Sequence, residues 1–238
     1  MKILAIDCTA APASVAVTED GKILSSSFTN VGLTHSQTLM PMLDAVLKNA
    51  QISRDDIDLF AINAGPGSFT GVRIGVAALK GLTLSDGPKC LPVSTLESMA
   101  YNFCGVRDCT VVGVMDARCR QVYTAAFAVL GETVERLSED SALSFEEFET
   151  RLKTYKTPVV LVGDGAALCY NEFQKNHPEL ELAPEHLRYQ NAVGTAACAA
   201  RHLAAGETPV PGSDILPVYL RAPQAERELK KKQEAQKA

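Results

Sequence analysis

The first half of the chain alternates short strand-like runs with longer helical stretches. Strand-like runs occur over 2–7, 14–18 and 22–27, and the turn residues between these runs predict an antiparallel meander of three strands. Residues 34–50 then show helical spacing, and their apolar positions cover more than one stripe of the helix. We therefore expect this helix to bury two faces.

A continuous apolar run over 59–64 predicts a buried parallel strand, and helical spacing resumes over 70–85. A short strand follows at 90–93. Ser94 and Glu97 have the spacing of a capping box, in which a serine and a glutamate cap the start of a helix. Another helix is therefore predicted to begin after Ser94.

The second half of the chain repeats this order of strands before helices. The predicted strands are 110–115, 121–130, 134–138 and 159–162, and the predicted helices are 144–155 and 192–205. Strands followed by helices in both halves predict a two-lobed α/β protein. We expect an N-terminal lobe at 1–105, a C-terminal lobe at 106–223 and a polar, frayed tail at 224–238.

The composition is that of an average soluble globular protein, with 46% apolar and 21% charged residues. The net charge of −5 argues against a dedicated nucleic-acid-binding domain, which would be strongly basic. The first apolar run is too short for a signal sequence, and no apolar run of about 18 residues occurs. Seven cysteines without a C-x-x-C pair fit reduced thiols. We expect a cytoplasmic protein without a membrane segment.

The most informative segment is 64–75, which reads A-G-P-G-S-F-T-G-V-R-I-G. A glycine-rich turn between a strand and a helix directs backbone N–H groups toward one point, which favours anion binding. The segment lacks the lysine of a P-loop, the third glycine of the dinucleotide fingerprint and the serine of a nucleophile elbow. Ser68 and Thr70 are therefore interpreted as helix N-cap residues.

The helix after this segment carries little side-chain bulk where Gly71, Gly75 and Ala78 recur at helical spacing. Its glycines cost roughly 2–3 kcal/mol of helix stability, which a close contact has to offset. Either that contact is internal, against the helix at 34–50, or both helices form a surface for another protein. The candidate partner-binding residues are His35, Leu39, Met42, Leu43, Val46, Gly71, Val72, Arg73, Gly75, Val76 and Leu79.

Two turns carry residues that fit a nucleotide site. Asp7 ends the first strand, where a carboxylate can face a metal-bound phosphate; a turn-forming role together with the following residues, up to Thr9, is the alternative. Gly163 and Gly165 lie in a small-residue turn after the strand at 159–162. Such a turn can pass beside an adenosine, or it can be only a tight bend.

A third turn, after the strand at 110–115, and the four histidines are the remaining candidates for ligand or metal binding. Asp116 and Arg118 follow a strand at its carboxyl end, where open α/β sheets bind ligands, or they form a simple turn pair. The four histidines, at 35, 177, 186 and 202, show neither H-x-x-x-H nor H-E-x-x-H spacing. The sequence therefore predicts no metal site, and no Ser-His-Asp set can be argued from spacing.

Together these segments resemble the TsaB (YeaZ) family. The resemblance is carried most specifically by G-P-G-S-F-T-G-V-R-I-G at 65–75, and also by the first strand and by His35-Ser36-Gln37. It covers residues 1 to about 223, with agreement at S-T-L-E from Ser94, at D-A-R from Asp116 and at P-V-Y-L-R from Pro217. The turn after Asp7 departs from the pattern, because it lacks the glycine of phosphate-binding turns.

The resemblance implies a two-lobed fold of the actin, sugar-kinase and heat-shock ATPase superfamily, with mixed sheets flanked by helices. It implies a non-catalytic subunit required to form N6-threonylcarbamoyladenosine in tRNA beside the anticodon. The implied partners are a catalytic TsaD paralogue bound through the helices at 34–50 and 70–85, a TsaE ATPase, and tRNA through the assembled complex. The free chain is a candidate homodimer. No catalytic residue and no cofactor are expected, and the vestigial nucleotide-binding candidates are Asp7, Thr9, Gly163 and Gly165.

The alternative is a stand-alone ATP-dependent small-molecule kinase of the same fold, with Asp7 as the metal-binding or basic carboxylate. Binding of nucleotide to the isolated chain favours this alternative, because such a kinase has to bind ATP by itself. For a subunit, replacing Gly75 by leucine is expected to abolish partner binding and to leave the fold largely intact.

Overall fold

Two β-sheets, one formed by each half of the chain, provide the framework of the fold. The computed structural model describes residues 1–85, 89–156 and 158–221, and the expected tail at 224–238 lies outside them. The strands are β1 Lys2–Asp7, β2 Ala13–Glu19, β3 Lys22–Thr29, β4 Leu59–Gly65, β5 Cys90–Ser94, β6 Cys109–Asp116, β7 Gln121–Leu130, β8 Thr133–Arg136, β9 Ser141–Ser144, β10 Val159–Val162 and β11 Leu180–Leu182. The helices are α1 His35–Ala50, α2 Phe69–Leu82, α3 Thr95–Ala100, α4 Phe145–Leu152, α5 Ala166–Phe173, α6 Glu185–Arg188 and α7 Ala192–Ala204.

The first sheet has the strand order β3-β2-β1-β4-β5. Strands β1 to β3 form the predicted antiparallel meander, and β4 and β5 continue the sheet in parallel. Successive side chains of β1 point to opposite faces, so that Leu4 and Ile6 enter one core while Ile3 and Ala5 enter another. Helices α1 and α2 cover the first face, and α7 covers the second.

The second sheet has the order β11-β10-β6-β7-β8, and β9 also pairs with β7. Strands β6 and β7 are antiparallel, whereas β10 joins β6 in parallel. Phe148 of α4 and Phe173 of α5 pack on one face, and Leu96 and Met99 of α3 pack on the other. Within the described residues, none of the helices is long and apolar enough to cross a membrane.

Differences from the predicted elements are largest at helix ends and in the second half. Helix α2 ends at Leu82 and α4 at Leu152, each three residues before the predicted end. Elements β9, α5 and β11 were not predicted; they have four, eight and three residues. Such lengths span at most about two helical turns, so hydrophobic periodicity has little room to show.

The boundary expected at residue 105 separates the two sheets but not the two lobes. Helix α7 returns to the first sheet, where its small side chains Ala192 and Ala196 pack with Ala5 and Ala61. Ile215 is buried in the core on the other face of the same sheet. The expected C-terminal lobe at 106–223 is therefore corrected: a flat alanine-rich helix fits the small residues of the first sheet and packs there.

The last described residues, 215–221, form a strap across both lobes. The Val218 N–H donates a hydrogen bond of 2.7 Å to the Ala64 carbonyl at the end of β4. The Arg221 guanidinium donates one of 2.7 Å to the Ala117 carbonyl, just beyond β6. The strap thus connects the carboxyl ends of β4 in the first sheet and β6 in the second.

Candidate functional site

A cleft of about 640 Å³ lies between the lobes, at the carboxyl ends of β1 and β6. Thr9 lines it from the first lobe, and Asp116, Arg118 and Asp164 line it from the second. Ligands of open α/β sheets bind at such strand ends. The structure therefore brings three of the turns singled out in the sequence to one cavity, although Asp7 lies buried beneath its wall.

The Asp7 carboxylate is occupied by groups of its own lobe. One oxygen accepts hydrogen bonds from the Thr9 backbone N–H and the Thr9 hydroxyl, both at 2.8 Å. The other oxygen accepts a hydrogen bond from the Asn63 amide. Burial raises the pKa of Asp7, and the hydrogen bonds from Thr9 and Asn63 oppose that rise. Asp7 thus adopts the turn-forming alternative, with both oxygens already bonded.

The glycines of segment 64–75 pack closely on this same turn. A side chain at Gly67 would overlap the Thr9 carbonyl, and one at Gly71 would overlap the Cys8 carbonyl. The Ser68 N–H donates a hydrogen bond of 2.6 Å to the Thr9 carbonyl. The Ser68 hydroxyl accepts the Gly71 N–H at 3.3 Å, which confirms Ser68 as the N-cap of α2. The glycines therefore serve an internal contact.

Most of the candidate partner-binding residues face the core of the first lobe. Nine of them are buried: Leu39, Met42, Leu43, Val46, Gly71, Val72, Gly75, Val76 and Leu79. Their side chains pack between α1, α2 and the sheet, so a partner has no access to them in this conformation. This corrects the choice of residues, because both faces of α2 carry small or apolar residues and periodicity cannot tell which face points inward.

The Gly75→Leu expectation changes for the same reason. A Cβ at Gly75 would lie 3.4 Å from Ile62 Cδ1 and 3.6 Å from Cys8 Cβ, which leaves no room for a leucine side chain. This variant would disturb the core rather than a partner surface. His35 is half-buried, and its Nε2 forms a hydrogen bond of 2.8 Å with the Ala10 carbonyl at the turn between β1 and β2.

Arg73 is the exposed member of the candidate set. Its guanidinium lies 3.8 Å from the centre of the Phe69 ring, and its Nε donates a hydrogen bond of 2.8 Å to the Tyr219 hydroxyl. The Phe69 and Tyr219 ring centres are 4.9 Å apart. Arg73 thus stacks on Phe69 of its own helix and bonds to Tyr219 of the strap, and it pairs with no carboxylate among the described residues.

In the second lobe, the side chains of Asp116 and Asp164 line the cleft directly. Gly163 has a φ of +104°, and a side chain there would overlap the Val114 carbonyl. The Asp116 N–H donates a hydrogen bond of 3.2 Å to Asp164, and Asp116 pairs with Arg118 at 3.1 Å. Desolvation raises the pKa of Asp164 to about 6, and repulsion from Asp116 contributes.

Sequence reasoning missed a set of polar side chains outside the cleft. Among the described residues, Glu97, Cys198 and His202 are the group whose donor atoms could hold a metal ion. The available signal was C-x-x-x-H at Cys198 and His202 within a predicted helix, which has the spacing of H-x-x-x-H but a cysteine in place of the first histidine. Glu97 is about one hundred residues away in sequence, so only the fold places it there.

Two mixed sheets with a cleft between them define the fold class of actin, the sugar kinases and the heat-shock ATPases. A family model described as TsaD, tRNA N6-adenosine threonylcarbamoyltransferase, matches residues 29–229. Proteins called tRNA threonylcarbamoyladenosine biosynthesis protein TsaB are similar in Bacillus subtilis (30% identical, over 71% of this chain and 73% of that protein) and in Buchnera aphidicola subsp. Schizaphis graminum (31%, over 80% and 89%). The chain belongs to the TsaB family.

Other matches differ in the length that they cover. The TsaB protein of Escherichia coli is 38% identical over 53% of this chain, and the match spans about half of that relative, 55%. The structure of YeaZ from Pseudomonas aeruginosa superposes with a TM-score of 0.73 at 25% identity, over 92% of this chain and 99% of that chain. EutJ from Carboxydothermus hydrogenoformans, at a TM-score of 0.53 and 13% identity, shares the fold alone.

Proposed function

We propose that the chain is a non-catalytic subunit of the machinery that forms N6-threonylcarbamoyladenosine in tRNA. In this proposal it pairs with a catalytic TsaD-type paralogue, helps to recruit a TsaE-type ATPase and meets tRNA through the assembled complex. The names of its TsaB relatives and the TsaD family model support this role. The reaction takes place in the cytoplasm in this proposal.

The observation that carries the proposal is the state of the turn after β1. A kinase of this fold would need a carboxylate that faces the nucleotide phosphates and their metal ion. Here the Asp7 carboxylate is buried and bonded on both oxygens to Thr9 and Asn63, and the loop at 65–68 packs on top of the turn. A carboxylate so placed supports a structural role for Asp7 rather than a catalytic one.

The outer faces of α1 and α2 supply the surface for the paralogue. Exposed residues of α1 include Met40, Pro41 and Ala45, and exposed residues of α2 include Ala77 and Gly81. Small and apolar side chains at helical spacing allow another helix to approach closely. In the proposal these residues replace the buried ones as partner contacts, while the buried ones hold the two helices in place.

An arginine at Ala77 tests this surface. We expect Ala77→Arg to weaken association with a TsaD-type subunit at least about tenfold, because a long charged side chain would be placed in a helix contact. Association is measured by isothermal titration calorimetry, and modified nucleoside in tRNA by mass spectrometry in a reconstituted system. Leu168→Arg, at an exposed position of α5, is the matched control. Unchanged affinity of Ala77→Arg would place the partner elsewhere.

The open cleft favours the kinase as the second candidate. Asp116 and Asp164 still line a cavity of about 640 Å³, which is large enough for a nucleotide. Calorimetric titration of the isolated chain with ATP and Mg²⁺ separates the two functions. Tight binding by the chain alone supports the kinase, whereas binding that requires the paralogue supports the subunit.

A further inference from the structure

Three side chains with the chemistry of metal ligands meet where α3 approaches α7, away from the cleft. Donor atoms of Glu97, Cys198 and His202 all lie within 4.8 Å of one another. Zn²⁺ binds thiolate, imidazole and carboxylate together, whereas Mg²⁺ and Ca²⁺ take oxygen ligands. The combination of sulfur, nitrogen and oxygen donors therefore selects an ion of the zinc class.

The local structure explains why these side chains converge. Cys198 and His202 are four residues apart on α7 and so share one face of the helix. Glu97 lies in the first turn of α3, where its backbone N–H is capped by the Ser94 hydroxyl at 3.3 Å. Its carboxylate does not complete the predicted capping box; it turns toward α7 and hydrogen-bonds with His202 at 2.7 Å.

The surrounding groups orient two of the three ligands. His202 Nδ1 forms a hydrogen bond of 2.7 Å with Glu207, which leaves Nε2 directed at Glu97. Metal-binding histidines commonly donate their second N–H to a carboxylate in this way. Glu207 is held below His202 because its own N–H donates to the His202 carbonyl at 3.0 Å, just after the turn at Gly206 with a φ of +97°.

Charge and access also fit a divalent cation. The group is surrounded by the carboxylates of Glu207 and Asp140 and by the guanidinium of Arg136, which contacts Glu97 at 2.6 Å and Asp140 at 2.7 Å. Cys198 is fully buried, whereas the His202 side chain is 27% exposed. Protein thus closes the group on the side of Cys198, whereas His202 keeps contact with solvent.

We propose that Glu97, Cys198 and His202 bind one zinc-class divalent ion, with water as the fourth ligand. The ion ties α7 to α3, which packs on the second sheet, and this role is independent of the proposed function. The present distance of 2.7 Å between His202 and Glu97 is that of a hydrogen bond. Ligand atoms of a tetrahedral zinc site lie roughly 3.4–3.8 Å apart, so the carboxylate moves by about 1 Å when the ion enters.

Cobalt absorption spectroscopy tests the site directly. The full chain is freed of metal with a chelator and titrated with Co²⁺, which replaces Zn²⁺ and is coloured. We expect tetrahedral bands in the visible range and a sulfur-to-cobalt charge-transfer band in the near ultraviolet, saturating at one ion per chain and lost on addition of Zn²⁺. Absence of these bands at micromolar Co²⁺ overturns the proposal.

Variants separate this site from adventitious binding. Cys198→Ser is expected to abolish the charge-transfer band, and His202→Gln, which keeps the thiol, is expected to weaken Co²⁺ binding by at least about tenfold. Cys119→Ser is the matched control, because Cys119 is an exposed thiol outside the group. Circular dichroism checks that each variant is folded. A charge-transfer band that survives Cys198→Ser, or is lost with Cys119→Ser, contradicts the assignment.

Discussion

The two walls of the interlobe cleft end in similar turns but treat their carboxylates differently. In the first lobe, Asp7 is buried and bonded on both oxygens, and Gly67 and Gly71 bring backbone against the turn. In the second lobe, Asp164 and Asp116 line the cavity itself. Among the described residues that line the cleft, the acidic side chains therefore come from the second lobe alone, so the shape of the cleft does not by itself decide its chemistry.

The largest effect on stability is expected from a substitution in the first-lobe wall of the cleft, where α2 packs on the turn after β1. Gly71→Ala would force a Cβ into the Cys8 carbonyl, and backbone on both sides resists movement. We expect the free energy of unfolding to fall by at least about 3 kcal/mol. Urea denaturation followed by circular dichroism measures the change.

The same substitution farther along α2 provides the control. Gly81 has open space around it, and Gly81→Ala is expected to stabilise the protein by about 0.5–1 kcal/mol because alanine favours the helix. Equal effects of Gly71→Ala and Gly81→Ala would show that the packing of Gly71 on the turn carries no energetic weight.

A smaller effect is expected from removing the buried carboxylate of the same wall. Asp7→Ala leaves the Thr9 N–H and one Asn63 amide hydrogen without their acceptor in a buried site. The free energy of unfolding is expected to fall by about 2 kcal/mol. Chemical denaturation at pH 7 measures it, and a loss below about 0.5 kcal/mol would mean that water or another group replaces the carboxylate.

The smallest effect on stability is expected from Asp164→Asn, in the second-lobe wall of the cleft. The pKa of Asp164 is raised to about 6 in the folded chain, so its contribution to stability is present below the unfolded pKa near 4 and lost as the pH rises through 6. The variant should therefore match the wild type near pH 4 and exceed it above pH 6. Solvent screens this partly open carboxylate, so the gain stays below about 1 kcal/mol.

Melting temperatures of both proteins across this pH range give the measurement for Asp164→Asn. A difference that is constant with pH would show that the carboxyl titrates normally and that Asp116 does not disturb it. Together with Asp7→Ala, this result compares one carboxylate on each wall: removal of the bonded one destabilises, and removal of the one in the cavity stabilises.

Much of the fold could be predicted because its patterns are long and local. The apolar run of β1, the helical spacing of α1 and the glycine-rich loop after β4 each appear within one segment, and the structure has all three. The orientation of α2 could not be predicted, since small residues occur on the face with Gly71 and also on the face with Ala77. Only the close approach to Cys8 decides between them.

The functional sites were also predictable only as far as local patterns reach. Thr9 and Asp116 were each predicted near the carboxyl end of a strand, where ligands bind, but the two strands belong to different sheets, so only the fold brings them to one cleft. The group of Glu97, Cys198 and His202 depends on the return of α7 to the first sheet, which no local pattern indicates. That return also explains why the expected lobe boundary was too simple.

The strap at 215–221 bears on the proposed association with a partner. Val218 of the strap bonds to Ala64 in the first lobe, and Arg221 bonds to Ala117 in the second. Tyr219 of the strap accepts a hydrogen bond from Arg73 of α2. The strap therefore connects the two lobes at the mouth of the cleft. In the proposed complex, a partner on the outer faces of α1 and α2 would meet an Arg73 side chain that Tyr219 already holds, so less side-chain freedom would be lost on binding.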